Sequence, residues 1–551
     1  MPPATPPVSG PPGVSHAGAD LPPRPAHVTP RPLSGLARLL GVKMTSPAER
    51  DPFTGTDGAA KLTGVTHDSR QVRSGDLYAA LPGSRTHGAR FCRDAEAAGA
   101  AAVLTDQGGR AAALDCALPV FVVSDVRDRL GDVAAWIYGH PSQRLLLLGV
   151  TGTSGKTTTS YLLESGLRMA GHVTGLAGGV ETRAGPLTAV SQLTTPEATD
   201  LQALFAVMIE QGVSAAAMEV SSHALALGRV AGSVFDVAIF TNLSQDHLDF
   251  HTDMDDYFAA KASLFTRRYA RAGVVNVDDP RGRELAGRAE IPVTTFSAAG
   301  SPAADWRAVD VRCGADGSAF RVVGPGGVEA DATLALAGPF NVANALGAVV
   351  ALVEAGIGVQ PAVAGVAACP GVPGRLERVD TSGQDFTILV DYSHKPAAVQ
   401  AVLRALRPVT QGRLTIVLGC GGDRDRAKRP LMGEAAAGLA DTVILTSDNP
   451  RSEDPLDILA AMLDGARGVA PARRAHVIME PDRAAAIRLA VAGAGKGDIV
   501  LVAGKGHERG QYVGGTVVPF DDRGVAAAAA AEVAEARAAA ERGTPSLRED
   551  G

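Results

Sequence analysis

Leu145-Leu-Leu-Leu-Gly-Val-Thr-Gly-Thr-Ser-Gly-Lys-Thr-Thr-Thr159 packs an apolar strand, a glycine loop and a helix start into one short stretch. Gly152 and Gly155 let the backbone turn tightly so that its N–H groups face an anion. Lys156 supplies a point charge, and the Thr157 hydroxyl suits Mg2+. With Thr153 and Ser154 completing it, the loop is expected to cradle the phosphates of ATP or GTP. Its spacing departs from the general P-loop, because the position five before Gly155 is Val150 and not glycine. The tighter Gly-Thr-x-Gly-Lys-Thr form remains. A chance glycine turn before a helix is the competing explanation, and it does not account for strand, loop, lysine, hydroxyl and helix arriving in that order. Alone, the loop specifies nucleotide binding but not the use made of the energy.

Outward from the loop, buried-looking runs at 215–220, 237–243 and 273–277 alternate with helical segments, which predicts a parallel, doubly wound central sheet. Residues 306–335 alternate in polarity between Gly-rich turns and predict antiparallel strands. After Pro370-Gly-Val-Pro-Gly374, read as a hinge, the pattern restarts. Strands near 387–391, 414–418, 442–446 and 498–502 are separated by helices near 396–407, 430–440, 455–466 and 482–493, a Rossmann-like arrangement. Upstream, short apolar runs at 76–81, 101–104 and 120–123 predict a small α/β domain.

The expected fold class is therefore α/β in three domains, with a central P-loop-type doubly wound sheet and a C-terminal Rossmann-like domain. The expected boundaries are 34–143 for the N-terminal domain, 144–372 for the central one and 373–523 for the C-terminal one. A Pro-rich leader, 1–33, lacks the apolar periodicity to offset the entropy of ordering it and is expected to be disordered. Residues 524–551 read as a solvated Ala/Glu/Arg helix with a frayed tail. A chain of 551 residues accommodates this at about 150 residues per domain.

The 52 basic and 59 acidic residues give a net charge of −7, which argues against a nucleic-acid partner. Five cysteines without paired spacing suggest neither a zinc site nor a disulfide framework and fit a reducing cytoplasm. No apolar run approaches the roughly 20 residues needed to span a bilayer, and the prolines at the N-terminus exclude a signal-peptide core, so no membrane insertion is expected. A monomer is expected.

Several polar residues fall at expected strand ends. Glu219 reads either as a Mg2+ ligand or as a cap on the next helix. The segment 241–251 ends in acids, imidazoles and an amide. Within it His247 is a candidate metal ligand, and Asp246, Asp249 and His251 are either outer-shell or surface groups. Lys261 sits among apolar neighbours, a setting that favours a neutral amine; its residue pattern favours a snorkelling lysine. In the last domain, clusters at 391–396, 419–425, 447–453 and 504–508 line one sheet edge. Arg424 and Arg451 suit carboxylates and Glu508 suits an ammonium, so the expected ligand is zwitterionic, such as an amino acid.

Taken together, Thr151-Gly-Thr-Ser-Gly-Lys-Thr157, Thr194-Thr-Pro-Glu197, Met218-Glu-Val-Ser-Ser-His223, Gly338-Pro-Phe-Asn-Val-Ala-Asn344, Gly374-Arg-Leu-Glu377, Asp391-Tyr-Ser-His394, Asp448-Asn-Pro-Arg451 and Gly504-Lys-Gly-His-Glu508 resemble the Mur ligases of peptidoglycan synthesis. The resemblance covers roughly residues 60 to 523. It implies an ATP-dependent amide ligase acting on UDP-N-acetylmuramoyl-L-alanyl-D-glutamate and diaminopimelate. The rivals are relatives that add lysine, or glutamate to folate, and a nucleotide-dependent switch without ligase chemistry. The first domain and Asp448-Asn-Pro-Arg451 argue against the other ligases.

By the same resemblance, Ser69, Thr194, Thr195, Ser221 and Arg229 contact the UDP-substrate, and Leu227 stands where relatives can have glutamine. Gly152 to Thr157, Asn344, Arg375 and Asp391 contact ATP. Thr157, Glu219, His247 and Lys261 as its carbamate hold Mg2+, the carbamate serving a second ion, and Lys156, His247 and Lys261 serve catalysis. Lys261 is implied to be carbamylated by CO2, against the residue-level preference above. Arg424, Asp448, Asn449, Pro450, Arg451, Gly504 and Glu508 form the diaminopimelate pocket.

Overall fold

The computed structural model describes residues 23–45, 60–83, 85–314, 316–381 and 383–543. It divides into two compact units, one of residues 1–308, 322–330 and 343–368 and the other of residues 309–321, 331–342 and 369–551.

In the first unit the strand that enters the phosphate loop is Leu146–Thr151. Leu147, Leu148 and Val150 are fully buried, as expected of a parallel strand covered on both faces. Its sheet runs Leu187–Val190, Glu181–Ala184, Thr174–Ala177, Ala215–Glu219, Leu146–Thr151, Phe235–Phe240, Ala270–Asn276, Val293–Ser297. From Thr174–Ala177 to Val293–Ser297 all pairings are parallel. The edge hairpin Glu181–Val190 pairs antiparallel.

After Leu146–Thr151 the chain winds to one side, to Thr174–Ala177 and back to Ala215–Glu219, and then crosses to Phe235–Phe240. The direction of winding thus reverses at the loop strand, and its C-terminal end sits at the crevice where open α/β sheets take ligands. The strands expected at 215, 237 and 273 are present within about three residues, the usual uncertainty of element ends. The short strands Thr174–Ala177, Glu181–Ala184, Leu187–Val190 and Val293–Ser297 carry too few residues to show a period and were not anticipated. In the region expected to hold antiparallel strands lie Trp306–Gly314, Gly317–Val323 and Glu329–Leu334, the last two with alternating burial.

The other sheet of this unit has the order Met44–Thr45, Val120–Val123, Ala102–Asp106, Asp76–Ala80, Gly64–Thr66. Its core includes Leu33, Leu36, Phe121 and Leu130, joined by Ala198 and Ala203 from the helix Ala198–Glu210 that belongs to the loop sheet's half. Gly131 in the helix Val126–Ile137 approaches the backbone of Ala231 so closely that a Cβ there would lie 2.1 Å from the Ala231 carbonyl oxygen.

Residues 1–22 of the expected leader lie outside the described residues, but 23–33 depart from the disorder expected of them. Arg24 bonds both carboxylate oxygens of buried Asp76, at 2.8 and 2.6 Å, and the backbone N–H groups of Ala26 and His27 donate to Glu210. Prolines pre-set this backbone, so less entropy is lost when those bonds form.

The second unit carries a six-stranded sheet in the order Glu377–Val379, Thr387–Asp391, Ile499–Ala503, Leu414–Leu418, Thr442–Leu445, His476–Met479. All its pairings are parallel except that of the first strand. Helices Pro396–Leu406, Lys428–Ala437, Pro455–Arg467 and Arg483–Ala492 stand close to where the sequence puts them. The last helix, Asp522–Gly543, corrects an expectation. Instead of being solvated, it buries Ala526, Ala529 and Ala530 in a core with Ile487, Val491 and Val502. A stripe of alanines lets a helix lie close to its neighbour, and composition alone reads such a stripe as polar filler. The frayed end expected beyond 543 lies outside the described residues. Among the described residues no helix is long and apolar enough to cross a membrane.

Candidate functional site

The phosphate loop is held open by its glycines. Gly152 has φ +145° and a Cβ there would fall 1.9 Å from Thr241 Oγ1; Gly155 has φ +88° and a Cβ would fall 2.3 Å from Asn344 Oδ1. Any side chain at either position collides and is strained as well. Loop and neighbouring strand end are bonded reciprocally. Thr153 N donates to Asn242 O and Ser154 N to Asn242 Oδ1, while Thr241 Oγ1 and Asn242 Nδ2 donate back to Ser154 O. Thr153 Oγ1 lies 3.1 Å from the Tyr257 hydroxyl. The helix Lys156–Met169 begins directly at the loop, so its first N–H groups face the same space.

Two lysines converge on one carbonyl. Lys156 Nζ donates to Gly152 O at 2.9 Å and to Thr153 O at 3.0 Å, and Lys261 Nζ donates to Gly152 O at 2.8 Å. Lys261 is buried and lies over the Tyr257 ring at 4.5 Å. It is therefore not a snorkelling lysine: its amino group ends inside the loop and not in solvent.

Glu219, also buried, ends its strand beside Val150, and its Oε1 accepts from Gly179 N at 2.8 Å. It does not cap the following helix; Ser221 does, accepting from Ala224 N. His247, at φ +54°, places Nε2 2.9 Å from Asp246. Its ring meets His223 edge-on at 4.7 Å, and His223 packs on Phe250 at 4.1 Å. Burial first, and then the neighbouring imidazoles His247 and His251, push His223 down to about 4, so it is neutral at ordinary pH. Burial likewise lowers His251.

Among the described residues no three His, Cys, Asp or Glu converge as a metal-holding group. Mg2+ is commonly bound by one or two protein oxygens together with substrate phosphates. The Thr157 hydroxyl and the oriented Glu219 carboxylate are donors of that kind, so the residues present fit the ion.

Thr195, Ser221 and Arg229 are brought together. Thr195 Oγ1 donates to Glu219 O and accepts from Ser221 N, and Arg229 bonds Thr195 O and pairs with Glu197 at 2.9 Å. Thr194 faces Gly179. Ser69 opens a short 3-10 turn on the other sheet, next to His67, whose Nδ1 lies 3.2 Å from Thr199 Oγ1. The sequence gives no sign of the place of Glu197, because a carboxylate two and three residues after a pair of threonines does not disclose its arginine partner 32 positions on.

In the second unit, candidates from two strand ends form one network. Asn449 Nδ2 donates to Glu508 Oε2 at 2.9 Å, and Asn449 Oδ1 accepts from Lys505 Nζ and Tyr512 N. Lys505, fully buried, also donates to Glu508 at 3.0 Å and lies 4.0 Å from Asp448. Gly504, at φ +112°, leaves room for Asp448, since a Cβ there would be 2.7 Å from Asp448 Oδ2. A similar near approach, Gly422 to Pro450 O, seats Pro450.

Arg451, at φ +54°, exchanges backbone bonds with Tyr512 and Gly514 of the hairpin Gly510–Pro519 and sends a guanidinium N–H to Gly422 O. Burial, and then the neighbouring Arg424 guanidinium, lower its affinity for a proton. Asp391 accepts from Leu376 N and Ser393 N, and Arg375 lies over Tyr392 at 4.6 Å. Lys505 was missed because a lysine in a glycine loop reads as exposed; the fully apolar strand Ile499–Ala503 before it was the available signal.

Comparison with known proteins identifies the family. The chain matches the Mur ligase family, catalytic domain over residues 61–138, the Mur ligase middle domain over 150–352 and the Mur ligase, glutamate ligase domain over 374–506. It is 60% identical over 504 residues to UDP-N-acetylmuramoyl-L-alanyl-D-glutamate--2,6-diaminopimelate ligase of Streptomyces coelicolor, covering 92% of this chain and 97% of that one. The enzyme of the same name from Corynebacterium glutamicum is 50% identical, covering 85% and 91%. A solved structure of a 2,6-diaminopimelate ligase superposes with a TM-score of 0.64 at 33% identity, over 89% of this chain and 99% of that one.

Proposed function

The chain belongs to the Mur ligase family, and from that premise we propose its reaction: ATP-dependent addition of 2,6-diaminopimelate to the D-glutamate of UDP-N-acetylmuramoyl-L-alanyl-D-glutamate, with Mg2+. This is a step of peptidoglycan precursor synthesis, and the enzyme works in the cytoplasm as a monomer. The observation that carries the choice of amino acid is the joined Asn449–Lys505–Glu508 network beside Arg451: an ammonium acceptor and a carboxylate fork on one face.

The D-glutamyl γ-carboxylate attacks the γ-phosphorus of ATP, the bond to ADP breaks, and an acyl phosphate forms. A diaminopimelate amine then attacks the acyl carbon, phosphate leaves and the amine's proton is lost. Phosphoryl transfer needs placement and charge neutralisation more than covalent help. In this reading the N–H groups of Gly152 to Thr157 bind the phosphates. Lys156 exchanges the carbonyls of Gly152 and Thr153 for phosphate oxygens. Thr157, Glu219, His247 and the carbamate of Lys261 would hold Mg2+, which when bound offsets phosphate charge. Asn344, Arg375 and Asp391 are assigned to ATP, and Ser69, Thr194, Thr195, Ser221 and Arg229 to the UDP-substrate. Arg424, Asp448, Asn449, Pro450, Arg451, Gly504 and Glu508 are assigned to diaminopimelate.

Lys261 is assigned as a carbamate, formed from its neutral amine and CO2 with release of a proton. A carbamate is an oxygen acceptor, so Lys261 would give up its bond to Gly152 O and present anionic oxygens to the loop.

A coupled ADP-release assay with the UDP-dipeptide and lysine, LL- or meso-diaminopimelate tests the reading. ADP release is expected only when ATP, UDP-dipeptide and a diaminopimelate isomer are all present. Release without the amino acid, or equal release with lysine, would overturn it.

A further inference from the structure

Arg483 is the first residue of the helix Arg483–Ala492, a position where a cation opposes the helix dipole, and it is wholly buried. Neither placement favours stability by itself. The guanidinium is gripped by Asp522, at the start of the last helix and equally buried, through Nε to Oδ1 at 2.7 Å and a second N–H to Oδ2 at 2.6 Å. Its remaining N–H groups reach Ala503 O at 3.0 Å and Ser447 O at 3.4 Å.

Those carbonyls belong to the residues just before Gly504 and Asp448. Ala503 ends the strand Ile499–Ala503 and Ser447 follows the strand Thr442–Leu445; these strands are not neighbours, because Leu414–Leu418 runs between them. No ladder hydrogen bond can fix the distance between their ends. Gly419, which follows the middle strand, lacks a side chain where the 446–448 backbone crosses; a Cβ there would lie 2.4 Å from Thr446 O. The loop therefore folds over Gly419 towards Gly504, and Arg483 spans the two strands from behind.

We propose that Arg483, clamped by Asp522, is a positioning residue for amino-acid binding: it sets the separation of the loops that carry Asp448–Arg451 and Gly504–Glu508. The inference rests on the reading of that face as the diaminopimelate site. A buried pair of this kind is a weak source of stability against an apolar replacement, and here its arginine end bonds the backbone of both loops. It also gives the terminal helix a part in the site, since Asp522 is that helix's first residue.

Asp522→Asn and Arg483→Lys test this, with Ala529→Ser as a control that disturbs the helix packing alone. Both variants are expected to raise the KM for diaminopimelate by about tenfold, the scale of a loosened positioning contact, with the KM values for ATP and UDP-dipeptide changed less than about twofold. The control is expected to lower Tm and leave all three KM values in place. KM does not depend on the folded fraction, so partial unfolding does not blur the result, and Arg483→Lys decides alone if Asp522→Asn does not fold. Wild-type KM for diaminopimelate in both variants, or an equal rise for all three substrates, would overturn the proposal. Hydrogen exchange over 447–452 and 503–508 reads the same geometry without turnover: faster exchange in Asp522→Asn than in Ala529→Ser supports it, and equal exchange overturns it. Failure of the wild type to use diaminopimelate would instead strike the proposed reaction.

Discussion

The phosphate loop of the first unit and the amino-acid face of the second both sit at the C-terminal ends of parallel strands, but they are made of different material. The loop is main chain: two glycines, a helix start and backbone bonds to Thr241 and Asn242 give it its shape, and side chains add charge. The amino-acid face is side chain, a network of Asn449, Lys505, Glu508 and Arg451 drawn from loops 50 to 60 residues apart in sequence. In the proposed reaction the main-chain loop takes the phosphates of ATP and the side-chain network takes the incoming amino acid. The comparison predicts that damage to the loop lowers kcat, whereas damage to the face raises one KM.

The largest effect is expected from Lys156→Ala, with kcat down by about a thousandfold or more in ADP release, the scale of removing a charge stabiliser from the transition state. Gly155→Ala should act on the same step through strain and the clash with Asn344 Oδ1, misplacing the loop and lowering kcat by about a hundredfold in ADP release. Lys261→Ala should lose about a hundredfold in kcat and recover in part with added short-chain carboxylic acid, because the carbamate's oxygens can be supplied in trans. Near-normal activity, or no rescue, would remove the carbamate.

On the other side, Arg451→Ala should raise the KM for diaminopimelate by about thirtyfold and leave that for ATP nearly unchanged, as for one charge-assisted fork. Equal effects on both would erase the distinction between the regions.

The smallest effect concerns pH. His223 is held from 6.5 down to about 4 by burial, so the unfolded chain binds its proton first and stability falls as pH drops from 6.5 towards 4. His223→Phe should flatten the slope of Tm against pH in that window; an unchanged slope would show that His223 does not titrate as described.

The difference in material also explains what the sequence discloses. Local features, such as the loop, the apolar strands and the four helices of the second unit, are legible because each is written in consecutive residues. Thr174–Ala177 and Val293–Ser297 are short and become strands only by pairing with longer neighbours. Lys505, Glu197 and the Arg483–Asp522 pair are illegible for a different reason. Their roles depend on partners that only the folded sheet order brings near, and a buried lysine or arginine has the same letter as a solvated one. Lys261 shows this most directly, since its neighbours favour a snorkelling side chain and the fold turns it into the loop.

The central claim is that the phosphate loop activates a carboxylate. It is tested by carrying out the reaction with UDP-dipeptide labelled with oxygen-18 in the D-glutamyl γ-carboxylate, and analysing the released phosphate by mass spectrometry. Formation of an acyl phosphate transfers one labelled oxygen to each phosphate. Released phosphate free of label, with amide still formed, would contradict it.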